Sequence, residues 1–510
     1  MFYIYICFVL YWANISHGAN ILALVAAVSY SHQIAFAPLW KELSLRGHNV
    51  TVLTTDPMND TKLTNLTELD MKWAYNVRKN STYLIESKVF MWNYHQTVFG
   101  AMYRICDFVL SSDIGMNLRR NEYKADLVLV EYLCPEFLAF AELYNCPKIL
   151  IASMSVPSIY SDLIGDSTHS VLHPEFITAF HGKLSFRERV VSTLVNWYLY
   201  YVFNFDIFNK KQISLRRYFN STSTIPELIS DIDMMFLYVN PVIHGPKAIG
   251  PATITIGGYR EDTSEEPIPS KMKKFLDEAV EGCIYVSLGT NVNSSELNQQ
   301  LLKNIKDALG EIPYKVLWKF EEDVGDMPKN IETAKWMPQQ KILNHPNVKL
   351  FVFQGGLQSI EESVHGEVPF VVIPFFADQY QNAKILEDKG LALVLDRTSL
   401  KKDDLKNAIL KVMNDSKYRD RVKKLKQLIL DSPMTGLEKA VWWTEYVIRN
   451  KGAKHLRNPV ADIPFYQYYL LDIVAFLLGI IILSVTVTII ALTKLYKLTT
   501  ICYLLKEKTQ

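Results

Sequence analysis

Residues 336–379 read WMPQQKILNHPNVKLFVFQGGLQSIEESVHGEVPFVVIPFFADQ, and this stretch is the strongest indication of the fold class. Its residues 349–353 are largely apolar and β-branched or aromatic, which predicts a buried strand. The strand breaks at Gly355-Gly356, and a helix is predicted to follow as far as about His365. A strand, a glycine turn and a helix in this order present free backbone N–H groups to a pyrophosphate. The stretch therefore predicts an α/β fold with an anion-binding turn.

Polar side chains of the same stretch match the parts of a nucleotide sugar. Gln358, Ser359 and Glu362 fall within one turn of the predicted helix, so they share a face near its N-terminal end. Glu362 can accept hydrogen bonds from both hydroxyls of a ribose, while Ser359 and the glycine amides face phosphate. Trp336 precedes a Pro turn and offers a flat platform on which a base can stack.

The end of the stretch carries a further polar pair. Asp378-Gln379 follows the next predicted strand, residues 369–374, and would meet sugar hydroxyls from the same crevice. Each piece has a plainer interpretation when it stands alone: a glycine pair after a strand is usually only a turn, and a lone Trp is more often part of the core. The combined spacing is what makes the stretch specific.

This spacing closely resembles the signature of the UDP-dependent glycosyltransferase family, whose members use a nucleotide-activated sugar donor. The resemblance implies contacts to uracil from Trp336 and Gln339, to phosphate from Gln354 and Ser359, to ribose from Glu362, and to the sugar from Asp378 and Gln379. Gly355, Gly356 and Gln358 complete this part of the predicted donor site. Many members of the family carry His where this chain has Gln354. An amide can still donate to a phosphate oxygen, although it carries no positive charge, so donor binding is expected to survive.

A second turn of the same kind is Ser287-Leu288-Gly289-Thr290, which ends another apolar strand. Its small residues let the backbone approach an anion, although alone it would be an ordinary β-turn. The matching motif of the family contacts the diphosphate. Ser287, Gly289 and Thr290 therefore join the predicted donor site.

The chain has 510 residues, enough for two core-forming domains, and alternating strands and helices appear in two series. The resemblance implies a GT-B fold, with two Rossmann-like domains facing a cleft and one C-terminal transmembrane helix. The predicted division is a signal peptide at 1–18, an N-terminal acceptor-binding domain at 19–245, a C-terminal UDP-sugar-binding domain at 246–432, a return helix and juxtamembrane segment at 433–469, a transmembrane helix at 470–492 and a cytoplasmic tail at 493–510. Residues 20–28 are predicted to form one strand, residues 33–45 one helix, and residues 259–268 a linker.

The catalytic groups are expected in the first half. His32 follows the first strand, in the crevice where α/β folds place their chemistry. An acceptor hydroxyl needs a base as it attacks the anomeric carbon, and imidazole is the natural base near neutral pH. Glu131, also at the end of a strand, is the best-placed acid to orient the ring by a hydrogen bond to its other nitrogen, as the acid of a catalytic triad does. The family usually has Asp at that position, so Glu131 is one methylene longer; the plainer interpretation of His32 is a loop histidine that caps its helix.

No cofactor and no metal are predicted, because no His/Cys/Asp cluster with ligand spacing is present in the sequence. Asp231-Ile232-Asp233 is a D-x-D motif, the metal site of a different glycosyltransferase architecture. It precedes an apolar strand far from the signature, and we interpret it as a solvated loop. The charge of the departing UDP is instead expected to be stabilised by glycine amides and by Ser287, Thr290, Gln354 and Ser359.

Both ends of the chain carry targeting signals. Residues 2–12 form a short apolar run followed by small residues, which predicts a secretory signal peptide cleaved near Gly18. Residues 473–492 carry no charge and are long enough to cross ~30 Å of hydrocarbon. The tail carries Lys506 and Lys508, which resembles the dilysine retrieval signal of endoplasmic-reticulum membrane proteins. We predict a single-pass type I protein of that membrane, with its catalytic domains in the lumen.

Cysteines and sequons fit a lumenal body. Cys106, Cys134, Cys146 and Cys283 show no paired spacing, so neither a disulfide framework nor a zinc site is predicted. Sequons for N-glycosylation occur at Asn49, Asn59, Asn65, Asn80, Asn220, Asn293 and Asn414. The sequon at Asn49 is doubtful, because it opens an apparently buried strand.

The acceptor is the least defined part of the prediction. Residues 186–208 are crowded with aromatic side chains, for which a core helix is the plainer interpretation. The functional alternatives are an apolar acceptor wall or a surface that dips into the lumenal leaflet of the membrane. Either would suit small lipophilic alcohols and phenols, the usual acceptors of the family.

The resemblance implies an inverting transferase that moves a sugar from a UDP-sugar to a hydroxyl of such an acceptor. Glucose is the expected sugar and glucuronic acid the second candidate. Membrane lipid is a further expected partner, a homo-oligomer is left open, and the net charge of +1 gives no indication of nucleic acid. Two alternatives remain: a nicotinamide or flavin oxidoreductase, disfavoured because neither first βα turn has the glycine fingerprint, and a catalytically silent member that binds a nucleotide sugar or a lipophile.

Overall fold

The computed structural model describes residues 18–79, 91–120, 123–258, 267–292, 294, 297–322 and 327–508. The predicted signal peptide up to residue 17, the sequons at Asn80 and Asn293, and residues 259–266 of the predicted linker lie outside these ranges. The chain divides into two compact units, Met1–Asn458 and Pro459–Gln510.

The first half of the larger unit is built on a seven-stranded parallel sheet with the order β3-β2-β1-β4-β5-β6-β7. Its strands are β1 Asn20–Leu24, β2 Asn49–Thr54, β3 Leu66–Asp70, β4 Leu127–Glu131, β5 Lys148–Ala152, β6 Met234–Leu237 and β7 Thr253–Thr255. Its helices are α1 Tyr30–Ile34, α2 Ala37–Leu45, α3 Ala74–Lys79, α4 Met91–Ser111, α5 Asp113–Arg119, α6 Ala139–Tyr144, α7 Ser158–Leu163, α8 Phe186–Val202, α9 Phe208–Phe219, α10 Ile225–Ser230 and α11 Pro241–His244. The central strands are continuous apolar runs because helices cover both faces of a parallel sheet.

The second half is built on a six-stranded parallel sheet with the order β10-β9-β8-β11-β12-β13. Its strands are β8 Cys283–Ser287, β9 Lys315–Lys319, β10 Ile331–Ala334, β11 Val348–Phe353, β12 Phe370–Val372 and β13 Ala392–Val394. Its helices are α12 Ser270–Asp277, α13 Gln299–Gly310, α14 Gln339–Leu343, α15 Leu357–His365, α16 Gln379–Asp388, α17 Lys402–Asn414 and α18 Ser416–Leu430. Two Rossmann-like halves confirm the predicted architecture.

The helix α19, Gly436–Arg449, returns to the first half after α18. Thr435 and Glu438 form a capping box at its N-terminus, which fixes where it begins. Its Ala440 and Val447 are buried in the core of the first half, and α19 packs against α2. The chain thus links the halves a second time, by packing as well as by covalent connection.

The start of the first half differs from the prediction. β1 ends at Leu24, and residues 25–28 remain buried although they leave the sheet. The predicted single helix is two helices, and His32 lies within the first of them rather than in a loop. Pro38 explains the break, because proline lacks an N–H and is favoured in the first turn of a new helix. Asn49 opens β2 as predicted, but its side chain is exposed.

The D-x-D motif is only partly solvated, so that prediction is corrected. Asp231 is exposed and forms ion pairs with Lys148 and Lys454, both at 2.9 Å. Asp233 is buried and accepts hydrogen bonds from the backbone N–H groups of Lys148 and Ala453, both at 2.9 Å. The motif therefore fastens the segment after α19 to the first sheet.

The aromatic segment is a core helix on one face only. In α8, Leu199 and Val202 are buried, and Phe203 in the π-helical turn Phe203–Ile207 is fully buried. Trp197 and Phe205 are instead exposed to solvent. The prediction of a core helix is therefore wrong for the exposed side that carries Trp197 and Phe205. Aromatic content alone does not distinguish the two sides of a helix.

Among the described residues, a single disulfide joins Cys106 of α4 to Cys134, a bond that the prediction of no disulfide framework did not foresee. The two cysteines are 28 residues apart, a separation with no sequence signature. They meet because α4 packs over the loop that follows β4. Cys134 lies close in sequence to Glu131, which ends β4.

The smaller unit contains α20, Phe465–Tyr468, and α21, Leu471–Lys508. Within the described residues, one helix is long and apolar enough to cross a membrane, and its candidate span is Leu471–Cys502. α21 continues beyond the predicted end at residue 492 into the predicted tail, because lysines after an apolar segment do not break a helix.

Replacing both Cys106 and Cys134 with Ala is expected to lower the free energy of unfolding by about 3–4 kcal/mol, because the bond closes a loop spanning 28 residues. The measurement is thermal unfolding of the full chain in detergent. Cys146→Ala is the matched control, because Cys146 is a free cysteine. An unfolding midpoint of the double variant equal to that of the wild type would contradict the prediction.

Candidate functional site

Neighbouring strands of the first sheet bring His32, Glu131 and Ser153 together. Glu131 ends β4, Ser153 directly follows β5, and His32 lies in α1 beyond the end of β1. The Nδ1 atom of His32 is 2.6 Å from Oε1 of Glu131 and 2.8 Å from Oγ of Ser153. Glu131 is 1% exposed and His32 is 16% exposed, so the acid is enclosed while the ring reaches the cleft. Because Nδ1 is engaged, Nε2 is the ring nitrogen available as a proton acceptor.

The longer side chain of Glu131 therefore reaches the ring, a point that the sequence left open. Ser153 was missed by the sequence reasoning. Its place directly after an apolar strand of the same sheet is the signal that could have identified it, because the carboxyl ends of parallel strands share one edge.

The signature folds as a strand, a turn and a helix. β11 ends at Phe353, Gly355 has a φ of +94°, and Gly356 is the N-cap of α15. A positive φ at this point favours glycine. The first N–H groups of the nine-residue helix α15 have no partners within the helix, so they are able to donate hydrogen bonds to an anion.

Gln354 lies between the two glycine turns. Its side chain is buried, and a Cβ atom added at Gly289 or Gly356 would lie 2.4 Å or 2.9 Å from its Nε2 atom. Within the described part of the chain, its Oε1 atom is buried without a hydrogen-bond partner. Gly289 itself has a φ of +85°. Both turns therefore depend on glycine so that the amide of Gln354 can pack between them.

The remaining members of the second turn differ in exposure. Ser287 ends β8 and is buried, and its Oγ atom accepts a hydrogen bond from the N–H of Gly289 at 3.4 Å. Thr290 is exposed. The hydroxyl of Ser287 therefore stabilises the turn from its buried side.

Gln339, Ser359 and Glu362, which were predicted to contact uracil, phosphate and ribose in that order, form one hydrogen-bonded group. Nε2 of Gln339 donates to Oγ of Ser359 at 2.9 Å and to Oε2 of Glu362 at 2.5 Å. Tyr285 donates to Oε1 of Gln339 at 3.2 Å. Trp336 lies half-exposed, with its ring centroid 5.1 Å from that of Tyr30 in an edge-to-face contact.

Asp378 and Gln379 stand at the start of α16 with different environments. Oδ2 of Asp378 accepts from the Asn382 amide at 2.8 Å, and burial raises the pKa of Asp378 to about 6. Oε1 of Gln379 accepts from the N–H groups of Phe375 and Phe376 at 2.8 Å and 3.2 Å. The side-chain carbonyl of Gln379 is thus used by the preceding turn.

Direct hydrogen bonds join the two halves beside His32. Gln358 of α15 donates to the backbone carbonyl of Ser153 at 3.0 Å. Asn291, which follows the second glycine turn, donates to Oγ of Ser29 at 3.0 Å. Gln358 was predicted as part of the donor site, but its side chain contacts the other half.

A cavity of about 270 Å³ lies between the halves next to Asp378. Its lining includes Ser155, Glu175 and Lys247 from the first half. Nζ of Lys247 donates to Oγ of Ser155 at 2.8 Å, and burial lowers the pKa of Lys247. In the described ranges, no group of three or more His, Cys, Asp or Glu residues could hold a metal ion.

Comparison with known proteins places this geometry in a family. Residues 21–503 match the family model for UDP-glucoronosyl and UDP-glucosyl transferase. UDP-glucosyltransferase 2 of Dactylopius coccus is 34% identical, over 91% of this chain and 90% of that protein. UDP-glucuronosyltransferase 2B15 of Homo sapiens is 31% identical, over 91% of each chain.

Solved structures share the fold at low identity. LpCGTa in complex with UDP superposes with a TM-score of 0.56 at 14% identity, covering 85% of this chain and 100% of that chain. The calicheamicin glycosyltransferase CalG4 gives a TM-score of 0.56 at 17% identity, covering 85% of this chain and 99% of that one.

Two parallel sheets facing a cleft, a glycine turn at a helix N-terminus and a family match over nearly the whole sequence point the same way. The chain belongs to the UDP-glucoronosyl and UDP-glucosyl transferase family and is a UDP-glycosyltransferase with the GT-B fold.

Proposed function

We propose that the protein transfers glucose from UDP-glucose to a hydroxyl of a small lipophilic alcohol or phenol, with inversion at the anomeric carbon. The observation that carries the proposal is the contact of His32 with Glu131 at the cleft, opposite the anion-binding turn of α15. Membership of the family supports a UDP-sugar as the donor.

In this mechanism, Nε2 of His32 removes the proton of the acceptor hydroxyl as its oxygen attacks the anomeric carbon. The carboxylate of Glu131 stabilises the imidazolium that forms and keeps Nδ1 as the hydrogen-bond donor. The bond between the anomeric carbon and the UDP oxygen breaks on the opposite side. An α-linked donor therefore gives a β-glycoside.

The departing UDP gains negative charge on its terminal phosphate. The free N–H groups at the start of α15, the amide of Gln354 and the hydroxyls of Ser359, Ser287 and Thr290 are the proposed donors to that charge. Many members of the family carry His where this chain has Gln354, and a protonated His would stabilise the charge on the phosphate. Because the amide of Gln354 is neutral, the N-terminus of α15 supplies most of that stabilisation instead. No cofactor takes part in the proposed reaction.

Gln358 links the donor side of the cleft to the base. Its hydrogen bond to the carbonyl of Ser153 fixes the residue whose hydroxyl contacts His32. Donor binding at α15 would hold this helix in place and, through Ser153, hold the ring of His32. We therefore assign Gln358 and Ser153 as positioning residues.

UDP-glucuronate is the second candidate donor, and a specific observation favours it. Lys247 lines the same cavity as Asp378, so a carboxylate at C6 of the sugar would meet an ammonium group there. The carboxylates of Glu175 and Asp166 already act on Lys247, which weakens its attraction for an anionic sugar.

The proposed setting is the endoplasmic-reticulum membrane, with the body in the lumen and α21 surrounded by membrane lipid. The apolar length of α21 and the two lysines of the tail support it. The disulfide between Cys106 and Cys134 also supports a lumenal body, because such bonds persist in oxidising compartments.

Replacing His32 with Ala is expected to lower kcat by roughly 10²–10⁴-fold, because the general base is lost. UDP release is measured in microsomes with UDP-glucose or UDP-glucuronate and a panel of phenols. His455→Ala is the matched control, because His455 is exposed and contacts Tyr446. Binding of UDP without turnover of any donor by the wild type would favour the catalytically silent alternative.

Asp378 is expected to give the donor KM a pH dependence. The raised pKa of about 6 means that the carboxylate, which accepts hydrogen bonds from sugar hydroxyls, is lost as the pH falls through that value. The donor KM should therefore rise below about pH 6 in the wild type. In Asp378→Asn the KM should be higher at pH 7 and flat with pH. A pH-dependent KM that persists in the variant would exclude Asp378 as its source.

Gln358→Ala is expected to lower kcat by about tenfold while the affinity for UDP changes little, because the residue acts on His32 through Ser153. Calorimetry with UDP and steady-state kinetics separate the two effects. Gln300→Ala on the exposed face of α13 serves as the control. A fall in UDP affinity that matches the fall in kcat would instead identify Gln358 as a direct donor contact.

A further inference from the structure

One face of α8 and of the π-helical turn after it is apolar and exposed. We name this surface the outer face; it consists of Phe186, Val190, Leu194, Trp197, Tyr201 and Phe205. The six side chains are between 43% and 74% exposed. They follow one another at intervals of four, four, three, four and four residues, so they form a single stripe along the helix.

The opposite side of α8 packs against the core of the first half. Ser192, Val195, Leu199 and Val202 are buried there. An amphipathic helix with its apolar side buried normally carries charged residues on its other side. Residues 190–205 contain no Lys, Arg, Asp or Glu. From residue 190 onward α8 therefore carries no charge on either side, and one of these sides is exposed.

The helix α18 shows the usual pattern in the same chain. It buries Tyr418, Val422 and Leu425, and its remaining surface is rich in Lys and Arg. The outer face of α8 thus differs from the exposed surface of α18, and a contiguous exposed apolar stripe is typical of an interaction surface.

We propose that the outer face lies in the interfacial region of a lipid bilayer. This inference rests on the proposed membrane anchoring by α21 and is independent of the proposed reaction. Trp and Tyr are the side chains favoured at the boundary between lipid head groups and acyl chains, and a stripe of this kind lies in the plane of that boundary.

The charges at the N-terminal end of α8 fit such a surface. Lys183, Arg187 and Arg189 are close to the start of the stripe, and the guanidinium of Arg189 lies 5.7 Å from the ring centre of Phe186. The carboxylate of Glu188 is occupied by the N–H of Ser185. Basic groups beside an apolar stripe match anionic lipid phosphates beside acyl chains. At the other end, Lys210 and Asp206 form an ion pair with each other.

The experiment is tryptophan quenching in the full chain, reconstituted in nanodiscs of phosphatidylcholine brominated high on its acyl chains. α21 contains no Trp, so the anchor itself gives no signal. Emission from the wild type should be quenched relative to nanodiscs of unbrominated lipid. Trp197→Phe should remove most of that bromine-dependent quenching. Trp442→Phe is the matched control, because Trp442 is also exposed but lies on α19, and it should retain the quenching.

A second variant tests the face without removing the reporter. Phe205→Glu places a charge in the stripe and should reduce the quenching of Trp197, while the thermal unfolding midpoint stays near that of the wild type. Equal quenching in the wild type and in Trp197→Phe would overturn the proposal.

The competing occupant is a second copy of the chain. Disulfide-linked dimers of Leu194→Cys in the same nanodiscs, together with an unquenched Trp197, would assign the outer face to that interface and overturn the proposal. A chain that does not enter nanodiscs would also overturn the proposal, because it would remove the premise of membrane anchoring by α21. UDP release measured in the same preparation reports on the proposed reaction separately.

Discussion

Parallel pairing of the strands is the constraint on which the proposed active site depends. In a parallel sheet all carboxyl ends lie at one edge, so residues far apart in the chain meet there. His32, Glu131 and Ser153 span more than a hundred residues of sequence, yet each follows or ends a strand among β1, β4 and β5. The second sheet does the same with the turns after β8 and β11. Two such edges facing each other give a cleft with the proposed base on one side and the proposed anion-binding N–H groups on the other.

Contacts across this cleft give the protein a means to couple donor binding to the proposed base. The carbonyl of Ser153 accepts from Gln358, and its hydroxyl contacts His32. The same residue therefore touches both sides of the proposed reaction. Gln354 adds a structural link within the second half, because its amide packs between two glycine turns that would otherwise be independent. A substitution of Gly289 or Gly356 would therefore displace the amide of Gln354 and disturb both turns.

The first half of the protein carries two stabilising links and the surface that is proposed to meet the membrane. The disulfide between Cys106 and Cys134 fixes α4 close to the strand that ends in Glu131. The D-x-D motif, buried at Asp233, holds the segment after α19 against the first sheet. These links act on the half that carries the proposed base. The outer face of α8 belongs to the same half, so the half that would bind a lipophilic acceptor is also the one proposed to meet the bilayer.

Sequence patterns were enough to predict the family, the α/β class, the two series of strands, the helix after Gly355-Gly356 and the apolar segment near the C-terminus. These features depend on local patterns: apolar runs, glycine turns and an uncharged stretch long enough to cross the hydrocarbon core of a bilayer. Other features became visible only in the folded chain: Glu131 reaches His32, and Ser153 contacts both His32 and Gln358. Cys106 meets Cys134, and Trp197 points outward while Phe203 points inward. Each of these depends on packing between segments far apart in the chain, and neither residue type nor spacing carries that information.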